Sequence, residues 1–326
     1  MSKSAAQPLP PFTYRPRYRE TTPELDRDEL EWWENNAALM ERIWTLPAPI
    51  SKELRGEMAR IAAAFFGSGR ILEPGCGAGW PGRLIAEAGR GLRIVGTDIS
   101  PEQVSLARQA AEEAGLTDAC EYYEGEMSSL PVDDFDGAFF HAALHHLSDR
   151  EVEEVLDHLA TARAGFRVVF YEPVFVRPFT WLPRPFARVG SLLVSALLNL
   201  SLRDASTGPD NDLVSEMKRV EREASEHGWF LSPKEVPFSE QQLLAALRRR
   251  FDVVLAKPLH LNAIEAGQLV AATWGESSAR DKRGLRIIRR TLWLDMVLLR
   301  SNIYRVCRGR YAFWMFALTV PAVPGQ

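Results

Sequence analysis

The chain has 326 residues, with 39 Lys+Arg against 43 Asp+Glu (formal charge −4) and 46% hydrophobic residues. That length suits about two domains, or one α/β domain with insertions, and it can bury a core without covalent staples. The near balance of charge argues against a nucleic-acid surface, which would show a basic excess or stripe. Cys76, Cys120 and Cys307 are odd in number and far apart. They indicate neither a disulfide framework nor a metal site, and a reducing cytoplasm is the expected compartment.

Residues 1 to about 20 are proline-rich, polar and basic, and read as an extended arm; the first residues carry no apolar core of a secretory signal. From Pro23 to Phe66 the spacing turns helical. Acidic residues follow Thr22-Pro23, Pro47 and Pro49 interrupt the pattern, and a second helix is expected over about 51–66. After Gly67 the period changes. Short β-rich runs at 70–73, 92–98, 119–125, 136–141 and 166–172 alternate with helical patterns at 80–90, 101–115 and 149–164. Such alternation calls for a mainly parallel sheet covered on both faces.

Beyond Glu172 the alternation is interrupted over 174–238, which is too long for a plain loop. This stretch brings Phe175, Phe179, Trp181 and Phe186, an uncharged run from Val189 to Leu202, and a charged helix DLVSEMKRVEREASEHG. The uncharged run is short of the roughly 18 to 20 residues that span a bilayer. A buried helix is therefore expected there, with membrane contact as the alternative. A helix at 239–250 and a strand at 251–257 resume the pattern, an amphipathic basic helix is expected over about 284–307, and YAFWMFALTV (311–320) closes as a strand.

The most informative stretch is ILEPGCGAGWPG (71–82), where a strand ends on a carboxylate, a glycine-rich turn follows and a helix begins. Gly75, Gly77 and Gly79 would let a ligand approach the backbone, and the new helix N-terminus favours an anionic group. GAGWPG also satisfies G-x-G-x-x-G, so a NAD-binding oxidoreductase has to be considered. In that fingerprint, however, the first glycine follows the strand almost at once, whereas here Glu73-Pro74-Gly75-Cys76 intervenes. The second strand ends at Asp98, where a carboxylate can accept both hydroxyls of a ribose.

With EPGCGAG (73–79), GTDIS (96–100), GEMSSLP (125–131), FDGAFFHAALHHL (135–147) and YEP (171–173) in that order, the sequence resembles the class I S-adenosylmethionine-dependent methyltransferases. The likeness is greatest to the small-molecule branch that includes the ubiquinone and menaquinone C-methyltransferases. It implies an α/β, Rossmann-like, seven-stranded, mainly parallel sheet with the last strand antiparallel, plus a helical N-terminal arm and helical cap insertions. The expected division is 1–66 as the arm, 67–173 as the cofactor core, 174–238 as a cap and 239–326 as completion of the sheet, with a helical insertion at about 259–309.

The resemblance implies S-adenosyl-L-methionine as cofactor. Gly75, Gly77 and Gly79 would receive the methionine part, Glu73 its ammonium, and Asp98 with Ile99 the ribose side. Glu126 and Met127 would lie at the adenine, and His141 near the sulfonium. Methyl transfer from an activated sulfonium relies chiefly on proximity and alignment. A base is needed only where the acceptor must lose a proton, and His141, His145 and Glu172 are the catalytic candidates, with His146 and Tyr171 beside them. The expected partner is a small, hydrophobic methyl acceptor such as a quinone, polyketide, isoprenoid or lipid-like product of specialised metabolism. It would be covered by Trp32, Trp33 and the cap aromatics, with Tyr18 or the tryptophans over the cofactor. No nucleic acid is expected, because FHAA (140–143) stands where a nucleic-acid amino-group methyltransferase carries its tetrad. A non-catalytic cofactor-binding protein of the same fold, and a homodimer through the cap helices, stay open at this point.

Overall fold

In a computed structural model, the structure describes residues 22–44, 48–127, 131–175, 211–227, 232–261, 263–274, 282–306 and 311–322, together with Leu192 and Ala196. Two helices lead in, α1 (Pro23–Trp44) and α2 (Ala48–Phe66). The alternating unit follows as β1 (Gly69–Pro74), α3 (Trp80–Ala88), β2 (Leu92–Asp98), α4 (Pro101–Glu113), β3 (Cys120–Glu124), β4 (Gly137–His141), α5 (Asp149–Ala160) and β5 (Arg167–Phe175). Then come α6 (Asn211–His227), β6 (Phe238–Ser239), α7 (Glu240–Arg248), β7 (Asp252–His260), α8 (Ala263–Trp274), α9 (Lys282–Arg300) and β8 (Tyr311–Thr319). Tyr18, Phe179, Trp181, Phe186, Cys307 and most of the uncharged run lie outside the described residues.

The helix starts follow local chemistry. Ser100 accepts the Gln103 N–H at the head of α4, with Pro101 at the first helical position. Ser148 and Glu151 form a reciprocal capping box at α5. The sheet runs β3-β2-β1-β4-β5-β8-β7. The pairs from β3 to β5 are parallel, and β8 is inserted antiparallel between β5 and β7. The strand order therefore reverses direction between β1 and β4, and at that point the C-terminal strand ends open a crevice.

Alternate residues feed the two faces of the sheet. Leu72, Phe140, Phe170 and Phe316 pack with Val152, Leu156 and Leu159 of α5 and with Leu247 of α7. Ile71, Phe139, Val169 and Met315 pack with Leu54 and Met58 of α2 and Ile288 of α9. Both faces are apolar because both are covered.

The structure differs from the sequence expectation in three places. Phe238–Ser239, expected as the end of the insertion and the first residue of a helix, forms an eighth, two-residue strand beside Val174–Phe175, filling the edge of β5 beyond the end of β4. The 259–309 insertion holds two helices rather than one. α8 was hidden because its short, apolar sequence has little amphipathic contrast. α9 ends at Arg300, followed by a 3-10 turn at Ile303–Val306. The buried Asp295 of α9 also accepts the Leu261 and Ala263 N–H groups at the start of α8, at 2.8 and 2.9 Å. A carboxylate at a helix N-terminus is a favourable arrangement, and it locks the insertion into the fold.

Candidate cofactor and acceptor site

The glycine turn between β1 and α3 uses left-handed backbone at Gly75, Gly77 and Gly79, with φ of +65°, +52° and +70°. The three glycines serve different ends. A β-carbon at Gly79 would stand 2.5 Å from the Tyr122 ring, whose hydroxyl donates to the Gly79 carbonyl at 3.0 Å. One at Gly75 would meet Ala143 at 2.9 Å and Met127 at 3.6 Å. At Gly77 the nearest atom would be Gln103 Oε1 at 3.7 Å, so this is the glycine with space before it. Gly79→Ala should therefore destabilise the fold by at least about 2 kcal/mol, from left-handed strain plus the collision with Tyr122. Gly77→Ala should cost stability only through its backbone strain but should lose cofactor affinity. Urea unfolding and calorimetric titration of both variants separate the two effects.

Asp98, at the end of β2, aims its carboxylate back at the turn. Oδ2 accepts the Gly77 N–H at 2.9 Å and Oδ1 accepts the Ser100 N–H at 3.0 Å. Each oxygen keeps a second lone pair for a ligand hydroxyl. Burial raises its pKa, opposed by these N–H bonds. Ile99 beside it is 59% exposed, an apolar surface at the lip of the site. Glu126 is exposed, and Met127 is half-buried against the Gly75 turn.

Glu73 is buried beneath the first turn of α3, against Gly82, and neither carboxylate oxygen has a partner at hydrogen-bond geometry. Burial pushes its pKa up to about 8. A carboxyl whose folded pKa lies above its unfolded value loses stability as pH rises between the two. Glu73 by itself should therefore withdraw stability as pH rises from about 4.5 to 8, and Glu73→Gln should remove that contribution from the pH dependence of thermal melts.

His141 ends β4 and is partly exposed. Its ring meets Trp80 edge-on at 4.5 Å and stacks on Tyr171 at 5.1 Å. Burial, helped by the charge of Arg55, drops its pKa well below 6.5, so it is neutral. Arg55, from α2, lays its guanidinium 3.6 Å over the Trp80 ring, and burial lowers its pKa to about 9. Sequence reading missed Arg55: in ISKELRGEMAR it looks like an outward-facing helical arginine, and only packing shows otherwise.

Glu172 and His145, both expected as catalytic groups, occupy a buried tie. Glu172 Oε1 accepts the Ala143 and Leu144 N–H groups at 3.0 and 2.9 Å, and Oε2 meets His145 Nδ1 at 2.8 Å. His145 Nε2 faces Glu235 Oε1 at 3.3 Å. Burial alone would lower the pKa of His145, but the two carboxylates outweigh it and hold it up to about 9. Its neighbour His146 bonds through Nδ1 to Glu29 Oε1 of α1 at 2.8 Å and meets Trp33 edge-on. Glu29 also accepts the Ser232 hydroxyl and the Lys234 N–H. Burial would raise its pKa, yet His146 and the Lys234 N–H hold it down to about 2. Tyr171 hydrogen-bonds His260 Nδ1 at 2.5 Å, and both are buried.

These features define a Rossmann-like domain in which a glycine turn and the Asp98 carboxylate meet at the switch point of its sheet. Residues 71–163 match the family model described as a methyltransferase domain. Ubiquinone biosynthesis O-methyltransferase of Methylocella silvestris is 30% identical over 234 residues, covering 67% of this chain and 77% of that protein. 24-Methylenesterol C-methyltransferase 2 of Arabidopsis thaliana is 32% identical over 168 residues, 50% of this chain. The chain spans 46% of that relative's length and 22% of its rice counterpart's. Among solved structures, geranyl diphosphate C-methyltransferase from Streptomyces coelicolor A3(2) aligns with a TM-score of 0.44 at 12% identity, covering 81% of this chain and 79% of that one. The chain belongs to the class I S-adenosylmethionine-dependent methyltransferases. The residues present fit that cofactor, with an open glycine at Gly77, an orphaned carboxylate at Glu73 and an acid with spare lone pairs at Asp98.

Proposed function

We propose that this protein transfers the methyl group of S-adenosylmethionine to a small, hydrophobic acceptor. The observation that carries the reading is Asp98, brought within 2.9 Å of the Gly77 N–H so that the ends of β1 and β2 form one cradle. In the proposed arrangement Asp98 takes the ribose hydroxyls, Ile99 covers one face of the adenine, and Met127 and Glu126 lie at its edge. Gly75 and Gly77 admit the methionine part, and Glu73 faces its ammonium. Bound there, the cofactor supplies an electrophilic methyl on a sulfonium. The chain's own contribution is alignment and exclusion of water by Trp80, His141 and Met127.

Of the three catalytic candidates, His141 alone keeps exposure, and its neutral imidazole can accept a hydrogen bond from an acceptor but is a weak base. His145 and Glu172 are assigned to holding the turn after β4. Residues 174–238 are proposed as the acceptor's cover, with Trp33 at its α1 side. The named relatives act on sterols and in ubiquinone biosynthesis, which supports a lipid-like acceptor. Among the described residues no helix is long and apolar enough to cross a membrane. Cys76 and Cys120 are buried free thiols, which supports the cytoplasm as the compartment.

The test is transfer of isotope-labelled methyl from S-adenosylmethionine to a panel of sterols, hydroquinones and prenyl acceptors. Label in an organic-extractable product is expected. Cofactor binding without label in any acceptor class would favour the non-catalytic alternative.

A further inference from the structure

Ninety residues apart in sequence, His145 and Glu235 meet next to His146, and one donor atom from each of the three lies within 4.8 Å of the others. Among the described residues this is the single place where three such donors converge. We propose that His145, His146 and Glu235 form a binding site for one divalent transition-metal ion of the zinc class.

Three observations carry it. The first is a distance. His145 Nε2 and Glu235 Oε1 stand 3.3 Å apart. A charge-assisted hydrogen bond between such groups is usually about 2.7 to 2.9 Å, and His145 makes one of that length on its other side, at 2.8 Å to Glu172. Two donors each about 2.1 Å from a tetrahedral ion stand roughly 3.4 Å apart. The second is the outer layer. His145 Nδ1 is held by Glu172 and His146 Nδ1 by Glu29, both at 2.8 Å. Each ring is thereby held in place, and in His145 it is Nε2 that is turned toward Glu235, the carboxylate–histidine–metal pattern that orients ligands and raises their basicity. The third is an unused acceptor. Glu235 is 8% exposed and its Oε2 has no hydrogen-bond partner, an uncompensated oxygen that an ion would satisfy.

Two imidazoles and one carboxylate suit zinc, manganese, iron or cobalt better than magnesium or calcium, which prefer all-oxygen sets. Three protein ligands leave a position for water. The site would also join three separate segments, α1 through Glu29, the 3-10 turn Leu144–His146, and the strand-entry segment through Glu235. Cysteine spacing could not reveal it, because none of its ligands is a cysteine. It stands independently of the methyl-transfer reading, since its donors are not those of the cofactor cradle.

The test uses the full chain without a histidine tag, stripped with chelator and dialysed, then titrated with ZnCl2 and separately with MgCl2, with native mass spectrometry for stoichiometry. One zinc per chain and no magnesium are expected, and Co2+ in place of zinc should give the visible absorption of a four-coordinate ion. Glu235→Gln and His146→Gln should each weaken zinc binding on the order of 100-fold, and Glu29→Gln about tenfold. His227→Gln, on an exposed surface of α6, should bind as the parent does. Circular dichroism checks that each variant is folded; His146 is partly exposed and its variant keeps the test sound if Glu235→Gln does not fold. Absence of stoichiometric zinc uptake, or uptake that Glu235→Gln and His146→Gln leave unchanged, overturns the site.

Discussion

Asp98→Ala should weaken S-adenosylhomocysteine binding by about 30-fold or more. Two charge-assisted hydrogen bonds to a ribose are worth at least about 2 kcal/mol together, and each 1.4 kcal/mol is roughly tenfold in affinity. The variant also loses the acceptor for the Gly77 and Ser100 N–H groups, so part of the loss comes from a turn that no longer presents Gly77 correctly. Asp98→Asn separates the two contributions. It keeps one oxygen as acceptor while removing the charge, and an intermediate affinity is expected. Calorimetric titration of both variants, with urea unfolding to confirm their fold, provides the check. Parent-like affinity in a folded Asp98→Ala protein would remove the ribose assignment.

The largest effect on stability is expected at Glu172. Glu172→Ala leaves two buried N–H groups and the His145 ring without their carboxylate, and breaking a buried pair from one side costs about 3 to 5 kcal/mol. Against a total stability of about 5 to 15 kcal/mol that is enough to make the variant hard to purify. Glu172→Gln is therefore the informative change, since it keeps the shape and an oxygen for Ala143 and Leu144. It should lose about 1 to 3 kcal/mol in urea unfolding. Methyl transfer per folded molecule should stay within a few-fold of the parent. A loss of several orders of magnitude in turnover at parent stability would instead return Glu172 to the chemistry.

The comparison between sequence and structure divides along the distance over which information travels. Strands β2 and β4, the turn at Gly75–Gly79 and the helical stretches at 101–115 and 149–164 were all legible. In each, the deciding signal lies within a few residues. The antiparallel β8 was legible only through the resemblance, because a strand's partner is not written in its own residues. β6 escaped because two residues carry no period, and its pairing depends on β5 outrunning β4. The site divides in the same way. Gly77 and Asp98 were visible as motif positions, whereas the reason for Gly79 is the Tyr122 ring, which belongs to another strand. The roles of His145 and Glu172 could not be read from ALHHL and YEP alone. Whether those side chains face a ligand or one another depends on Glu235 and Glu29, from two distant segments, and on the turn that brings the Ala143 and Leu144 N–H groups to Glu172.

The most direct measurement of the central claim is a parallel calorimetric titration of the purified full chain with S-adenosylhomocysteine and with NADH. Micromolar, one-to-one binding of S-adenosylhomocysteine and no heat with NADH is the expected result, since the chain belongs to the S-adenosylmethionine-dependent methyltransferases. Binding of NADH without S-adenosylhomocysteine would contradict the account at its base.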